Sequence, residues 1–196
     1  MYFCRSLIVL MVDLMREACR LIVSDYRRYY RGGGKYVIFK LLACALTARN
    51  HCFAYSFWLR LASKGPSPLR QVARLMHYRL SRRYGVQIPV ETRIGEGLYI
   101  GHGVGIVVNG GTVIGDNCNL SQFVSIGTNH GTPAVIGNNV YIGPNVCVVE
   151  DVRIGDNATI GAGSVVVHDV PENATVAGVP ARVLNYNDPG RYCRCV

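Results

Sequence analysis

Acid is scarce in the first part of this 196-residue chain. Residues 1–84 hold three Asp/Glu against sixteen Lys/Arg, a balance of +13, whereas residues 85–196 hold nine against five, a balance of −4. Such asymmetry within a net charge of +9 reads as two modules, the basic one facing something anionic. No nucleic-acid recognition motif accompanies that charge, so nucleic acid is not an expected partner; an anionic membrane surface is the more economical reading. Long apolar runs are also missing. MYFCRSLIVLMV at the start is cut by Asp13, Arg16 and Glu17, short of the ~20 apolar residues that span a bilayer, and no small-residue cleavage site follows. An amphipathic helix is expected there instead of a signal peptide. The eight cysteines, at 4, 19, 44, 52, 118, 147, 193 and 195, contain no CxxC pair, and Cys193 with Cys195 lacks a second half at zinc-ligand spacing. No metal site is expected, and scattered thiols predict a reducing cytoplasm, with the membrane contact placing the protein at its inner face.

What is present falls into two textures. DLMREACRLIVSDYRRYY carries apolar residues at 14, 18, 21, 22 and 26, a helical stripe that Gly32, Gly33 and Gly34 then break. KYVIFKLLACALTARN, HCFAYSFWLRLASK and LRQVARLMHYRLSRRYG continue as helices, the last closed by Gly85 as C-cap. From Gln87 onward aliphatic residues recur every six positions: Ile94, Ile100, Ile106; Ile114, Leu120, Ile126; then Ile136, Ile142, Val148, Ile154, Ile160, Val166. Two extra residues separate the first two runs and four separate the second and third. A strict period of six is the mark of a hexapeptide β-helix, three hexads to a coil, so twelve anchors predict about four coils. The fold class is α+β: a helical module over 1–85, a β-helix over 86–184, and a polar, mobile tail over 185–196. Anchors fill the prism, so ligands bind outside it, along a face or between prisms. The helical module is expected to cap one open end and the segment after Pro180 the other.

GHGVGIVVNGGTVIGDN, LSQFVSIGTNHGTPAVIGNNVYIG and GAGSVVVHDVPENATVAGVPARVL resemble the hexapeptide-repeat acyltransferases, and within them the serine acetyltransferase group. DYRRYY and FAYSFWLRLA are similar to that group's N-terminal helices, and the likeness covers most of residues 25–184. The resemblance implies a left-handed parallel β-helix, a homotrimer with acetyl-coenzyme A in the cleft between neighbouring prisms, and in some members a dimer of trimers.

It also implies site residues. His102 falls on the group's catalytic base, suited by an ordinary pKa near ~6.5 to take a proton from an attacking alcohol. His130, in the four-residue insertion, falls on a second histidine that reaches the acceptor from the adjoining subunit. Gly127, Thr128, Gly143, Pro144 and Ala162 are implied contacts of the pantetheine chain, the Gly127 N–H also facing the oxyanion, and Arg182 is placed to meet a nucleotide phosphate or simply to cap. Three departures concern the acceptor. Gly101 stands where the group has an aspartate before its histidine, Gln87 where it has the aspartate that orients the base, and Asn129 where it has the arginine that reads the serine carboxylate. Glu91 and Glu96 are candidate replacements for the orienting acid.

Loss of those charges points to a neutral acceptor. The leading reading is therefore an acetyl-coenzyme A-dependent O-acetyltransferase acting on a sugar hydroxyl of a polysaccharide or its precursor. The alternatives are serine O-acetyltransferase of cysteine biosynthesis and a non-catalytic β-helix scaffold. His51 and His77 show no partner in the sequence, His168 is expected to be exposed, and Cys118 and Cys147 are expected to serve packing.

Overall fold

The computed structural model describes residues 2–30, 37–47 and 49–193. The glycine run at 32–34, Cys195 and Val196 lie outside the described residues. Helix α1 (Tyr2–Tyr29) turns Ala18, Leu21, Ile22, Asp25 and Tyr26 inward, the i, i+3, i+4, i+7, i+8 stripe of an amphipathic helix. Helix α2 (Val37–Thr47) follows, then α3 (His51–Lys64), whose first turn is capped by Asn50 accepting the Phe53 N–H. Every residue from Cys52 to Ala62 is buried, because α3 lies between the other helices and the first coil. Helix α4 (Ser67–Tyr84) ends on Gly85, at φ +67.

A buried ion pair fixes this module to the β-structure. Arg60 and Asp25, 4% and 0% exposed, pair at 2.9 Å, and Asp25 also accepts from the Ser56 hydroxyl and from Leu98 N–H at 2.8 Å. Arg60 donates onward to the carbonyls of Ile94 and Gly95. Each buried charge is thereby saturated, which buried charges require.

The β-helix follows in chain order. Its first coil is β1 (Arg93–Ile94), β2 (Tyr99–Ile100) and β3 (Val107–Val108); its second is β4 (Val113–Ile114), β5 (Asn119–Leu120) and β6 (Ser125–Ile126). The third is β7 (Val135–Ile136), β8 (Tyr141–Ile142) and β9 (Cys147–Val148), and the fourth β10 (Arg153–Ile154), β11 (Thr159–Ile160) and β12 (Val165–Val166). Parallel pairing makes three faces: β1-β4-β7-β10, then β2-β5-β8-β11, then β3-β6-β9-β12. At the corner between the first and second faces Asn117, Asn139, Asn157 and Asn173 take φ between 55 and 62. Their side-chain amides form a hydrogen-bonded ladder up the prism. Glycines after the anchors serve a different need. A Cβ on Gly115 would lie 2.6 Å from Gly137 O, so the close stacking of coils leaves no room for one.

The register corrects the period of six at one place. Ile94 stacks on Ile114 and Ile100 on Leu120, twenty residues apart, but Val108 stacks on Ile126, eighteen apart. The third anchor is therefore Val108, not Ile106, and the two extra residues fall between β2 and β3. Both Ile106 and Val108 are buried, which is why the sequence pattern fits either. The four extra residues fall between β6 and β7, as expected.

The described part of the tail, up to Cys193, is packed against the prism. After β13 (Thr175–Gly178) and the antiparallel β14 (Ala181–Asn185), the chain turns back along the second face. Gly190 N–H donates to Asn157 O, the Tyr192 ring lies 4.4 Å from that of Tyr141, and Asn119 donates to Tyr192 O. Cys193 is 1% exposed and its carbonyl accepts from Arg28 Nη1 at 3.0 Å, joining the tail to α1. A polar composition concealed these contacts because they are made by backbone carbonyls and aromatic rings.

Candidate active site

The corner between the second and third faces carries the two-residue bulge, and His102 stands on it. Its backbone is left-handed, at φ +51, and its side chain is exposed on the outside of the prism. Such a conformation is uncommon outside glycine and needs support from its surroundings. The helical module supplies that support at three points. The Tyr29 hydroxyl takes the Ile100 N–H at 2.7 Å and lies 3.2 Å from Ile100 O. Cys52 Sγ accepts from Gly103 N–H at 3.1 Å, and Gly105 N–H donates to Tyr84 O at 3.4 Å. His51, far from lacking a partner, stacks on Tyr84 at 4.5 Å with its Nε2 3.5 Å from Cys52 Sγ.

Gln87 pairs with Val107 at the bottom of the third face, and its side chain is exposed. Among the described residues the His102 imidazole has no hydrogen bond or ion pair, with Gln87 or otherwise, and Gly101 offers it none. Neither glutamate lies on the corner of His102 within the same chain. Glu96 is bound to Arg20 at 2.6 Å on the corner between the first and second faces, and Glu91 lies against Gly110 on the corner between the third and first.

His130 belongs to the loop of residues 127–134 between β6 and β7, at the opposite edge of the third face. One carboxylate organises this loop. Glu150 Oε2, from the coil above, accepts the N–H groups of Asn129 and of His130 (2.9 Å) and lies 3.0 Å from the Thr128 hydroxyl. These donors hold the Glu150 carboxyl far below its usual range, at about 2. Beside it Asp151 Oδ1 takes Thr132 N–H at 2.8 Å and its hydroxyl at 2.7 Å. The side chains of Asn129 and His130 stay exposed. Glu150 escaped sequence reading because a Glu-Asp pair after a hexad resembles an ordinary turn.

The remaining candidates divide between the two edges. Gly143, Pro144 and Ala162 stand on the corner of His102, one above another in the third and fourth coils, while Gly127 and Thr128 stand with His130. Gly127 N–H donates to Val148 O at 3.1 Å, so it is not directed at an oxyanion. Gly143 N–H likewise donates to Ile160 O, and a Cβ there would come within 2.8 Å of that oxygen, so the glycine answers to coil stacking. Arg182 is exposed on β14, opposite Ala177, and among the described residues its guanidinium donates to Ala181 O. A single copy of the chain therefore places the candidate residues in two groups, at opposite edges of one face, and does not bring them together.

Other side chains settle outside the site. His77 is buried with Nε2 2.8 Å from the Tyr55 hydroxyl, and desolvation lowers its pKa to about 4. That hydroxyl also takes Ile88 N–H, so the pair joins α3 and α4 to the entry of the β-helix. Cys118 is buried with its thiol 3.1 Å from Gly137 O and its pKa pushed up to about 12 by burial. Cys147 is exposed on the third face and does not serve packing; His168 is exposed as expected.

A family profile, bacterial transferase hexapeptide (six repeats), matches residues 133–168. The serine acetyltransferase of Synechococcus elongatus is 38% identical over 120 residues, 58% of this chain. The chain spans only 48% of that relative's length. Soybean serine acetyltransferase, in its apoenzyme structure, is 30% identical with a TM-score of 0.65, covering 86% of this chain and 69% of the soybean one. Serine acetyltransferase of Brucella abortus, solved in complex with coenzyme A, is 25% identical with a TM-score of 0.69, covering 92% and 72%. The shared fold is a left-handed parallel β-helix preceded by helices. These likenesses overturn the sugar hydroxyl as acceptor, since each of these relatives is named for serine. The inference from Gly101, Gln87 and Asn129 failed because missing charges report which contacts are absent, not which acceptor replaces serine.

Proposed function

Because the chain belongs to the hexapeptide-repeat acyltransferases, in their serine acetyltransferase-like group, we propose that it transfers an acetyl group from acetyl-coenzyme A to the hydroxyl of serine. One observation carries this reading. The fold spends two extra residues and three attachments from the helical module on presenting a single imidazole at an outer edge of the prism.

The chemistry follows from a base at that position. As the serine oxygen attacks the thioester carbonyl, His102 takes its proton, and a tetrahedral oxyanion forms. Collapse expels the coenzyme A thiolate, which receives the proton back from the imidazolium, giving O-acetylserine and free thiol. The edge above His102 carries Gly143, Pro144 and Ala162, whose small side chains suit a thin pantetheine chain, and Arg182 at the top suits a phosphate. Thr128, Asn129 and His130 sit across the third face, so the proposal requires a trimer in which a neighbouring protomer brings its own loop to this edge. With no aspartate beside it, the base is held by backbone attachment alone, and Gln87 is left to contact the acceptor. No described helix is long and apolar enough to cross a membrane, and the anionic-surface contact expected from the charge gains nothing from the relatives.

Thiol release from acetyl-coenzyme A in the presence of L-serine tests the proposal. Serine-dependent release supports it; release no faster with serine than without it overturns it.

A further inference from the structure

Phe123 breaks the local rule of its corner. Four residues stack there in left-handed conformation: Gly105 at φ +65, Phe123 at +58, Asn145 at +56 and Gly163 at +69. Glycine and asparagine tolerate this region; a bulky aromatic does so only under strain. The ring is nevertheless 52% exposed, so burial does not compensate the strain. Its position is defined. The ring lies over Gly105, where a Cβ would come within 2.4 Å of Phe123 Cδ1, and Phe123 N–H donates to Val104 O at 3.0 Å. The aromatic face thus rests on the bulge that bears His102, one coil below the Gly143–Pro144 edge. Strain kept at an exposed position beside a candidate base points from the outlier toward function.

We propose that Phe123 sets the size of the acyl group. This rests on the acetyl-transfer reading, in which the thioester end of the donor lies between His102 and the Gly143–Pro144 edge. A phenyl ring holds no proton and no charge, so it takes no chemical part in the transfer. It supplies a rigid apolar wall, close enough to the reacting carbonyl to accept a methyl group and to exclude a longer chain. A pocket wall of this kind discriminates by roughly tenfold or more for each methylene it refuses.

Phe123→Gly and Phe123→Asn test this, since both replacements fit a left-handed backbone. Three quantities are measured on the full chain: melting temperature, calorimetric affinity for butyryl- against acetyl-coenzyme A, and the ratio of kcat/KM for the two donors with L-serine. Both variants are expected to melt no lower than the native protein. In Phe123→Gly the butyryl-to-acetyl ratio is expected to rise about tenfold or more, in binding and in turnover. Unchanged ratios in both variants overturn the proposal, as does a fall in melting temperature with loss of the oligomer, which would assign the ring to a contact between protomers. Absence of serine-dependent turnover in the native protein would remove the acetyl-transfer reading, while the binding ratio would still decide the role of Phe123.

Discussion

Cys52 Sγ accepts the backbone N–H of Gly103 at 3.1 Å, which ties the first turn of α3 to the residue beside His102. The helical module is thus more than a cap on a solenoid. It holds the bulge from one side while Phe123 of the next coil covers it from the other.

This contact makes Cys52 a positioning residue. Burial raises its thiol pKa, against the pull of the surrounding backbone N–H groups, so it stays protonated and unreactive at neutral pH. Alkylation is expected to reach the exposed Cys19 and Cys147 first, with Cys52 modified only on unfolding. Cys52→Ser keeps an acceptor and is expected to hold kcat near native, whereas Cys52→Val leaves Gly103 N–H unmatched and lowers kcat about tenfold at unchanged KM for acetyl-coenzyme A. Mass spectrometry and steady-state kinetics read the two effects. Alkylation of Cys52 as fast as Cys147 would contradict the arrangement.

Glu150 governs the opposite edge. Its carboxyl titrates at about 2 in the folded chain against an ordinary 4.5, so the clamp on the His130 loop is complete above about 4.5 and is lost as pH falls through about 2. The amide resonances of Asn129 and His130 are expected to shift with a midpoint near 2 in NMR titration. A midpoint near 4.5 would show that the carboxylate does not hold them. Glu150→Ala is expected to raise the KM for serine several-fold, and Glu150→Gln, which keeps a carbonyl acceptor, less so.

His77 gives a stability signal independent of catalysis. Its pKa falls from 6.5 to about 4 on folding, so the unfolded chain takes the proton first as pH drops. The His77 contribution is full above about 6.5, declines as pH falls toward about 4, and is then level, a loss on the order of 3 kcal/mol at about 1.36 kcal/mol per unit. Urea denaturation at pH 7, 5.5 and 4 is expected to show this decline in the native chain and a shallower one in His77→Gln. Equal slopes would mean that His77 titrates normally.

Much of this molecule was legible because a period of six has few physical causes. The anchors from Ile136 to Val166 named their own coils. The bulge was legible only as two surplus residues, since Ile106 and Val108 are equally apolar and either could point inward. His77 and Tyr55, Cys52 and Gly103, Glu150 and His130 stand twenty or more residues apart, and nothing local marks them as neighbours. The acceptor was misread for a related reason. Gly101, Gln87 and Asn129 lie at two edges of one face, so their substitutions do not describe one continuous acceptor surface within a single copy of the chain.

The most direct test is the comparison of His102→Ala with the native protein in serine-dependent release of coenzyme A. A general base contributes roughly 10²- to 10⁴-fold, so kcat is expected to fall by about that factor while melting temperature and coenzyme A affinity stay near native. An undiminished rate in His102→Ala would contradict the account at its centre.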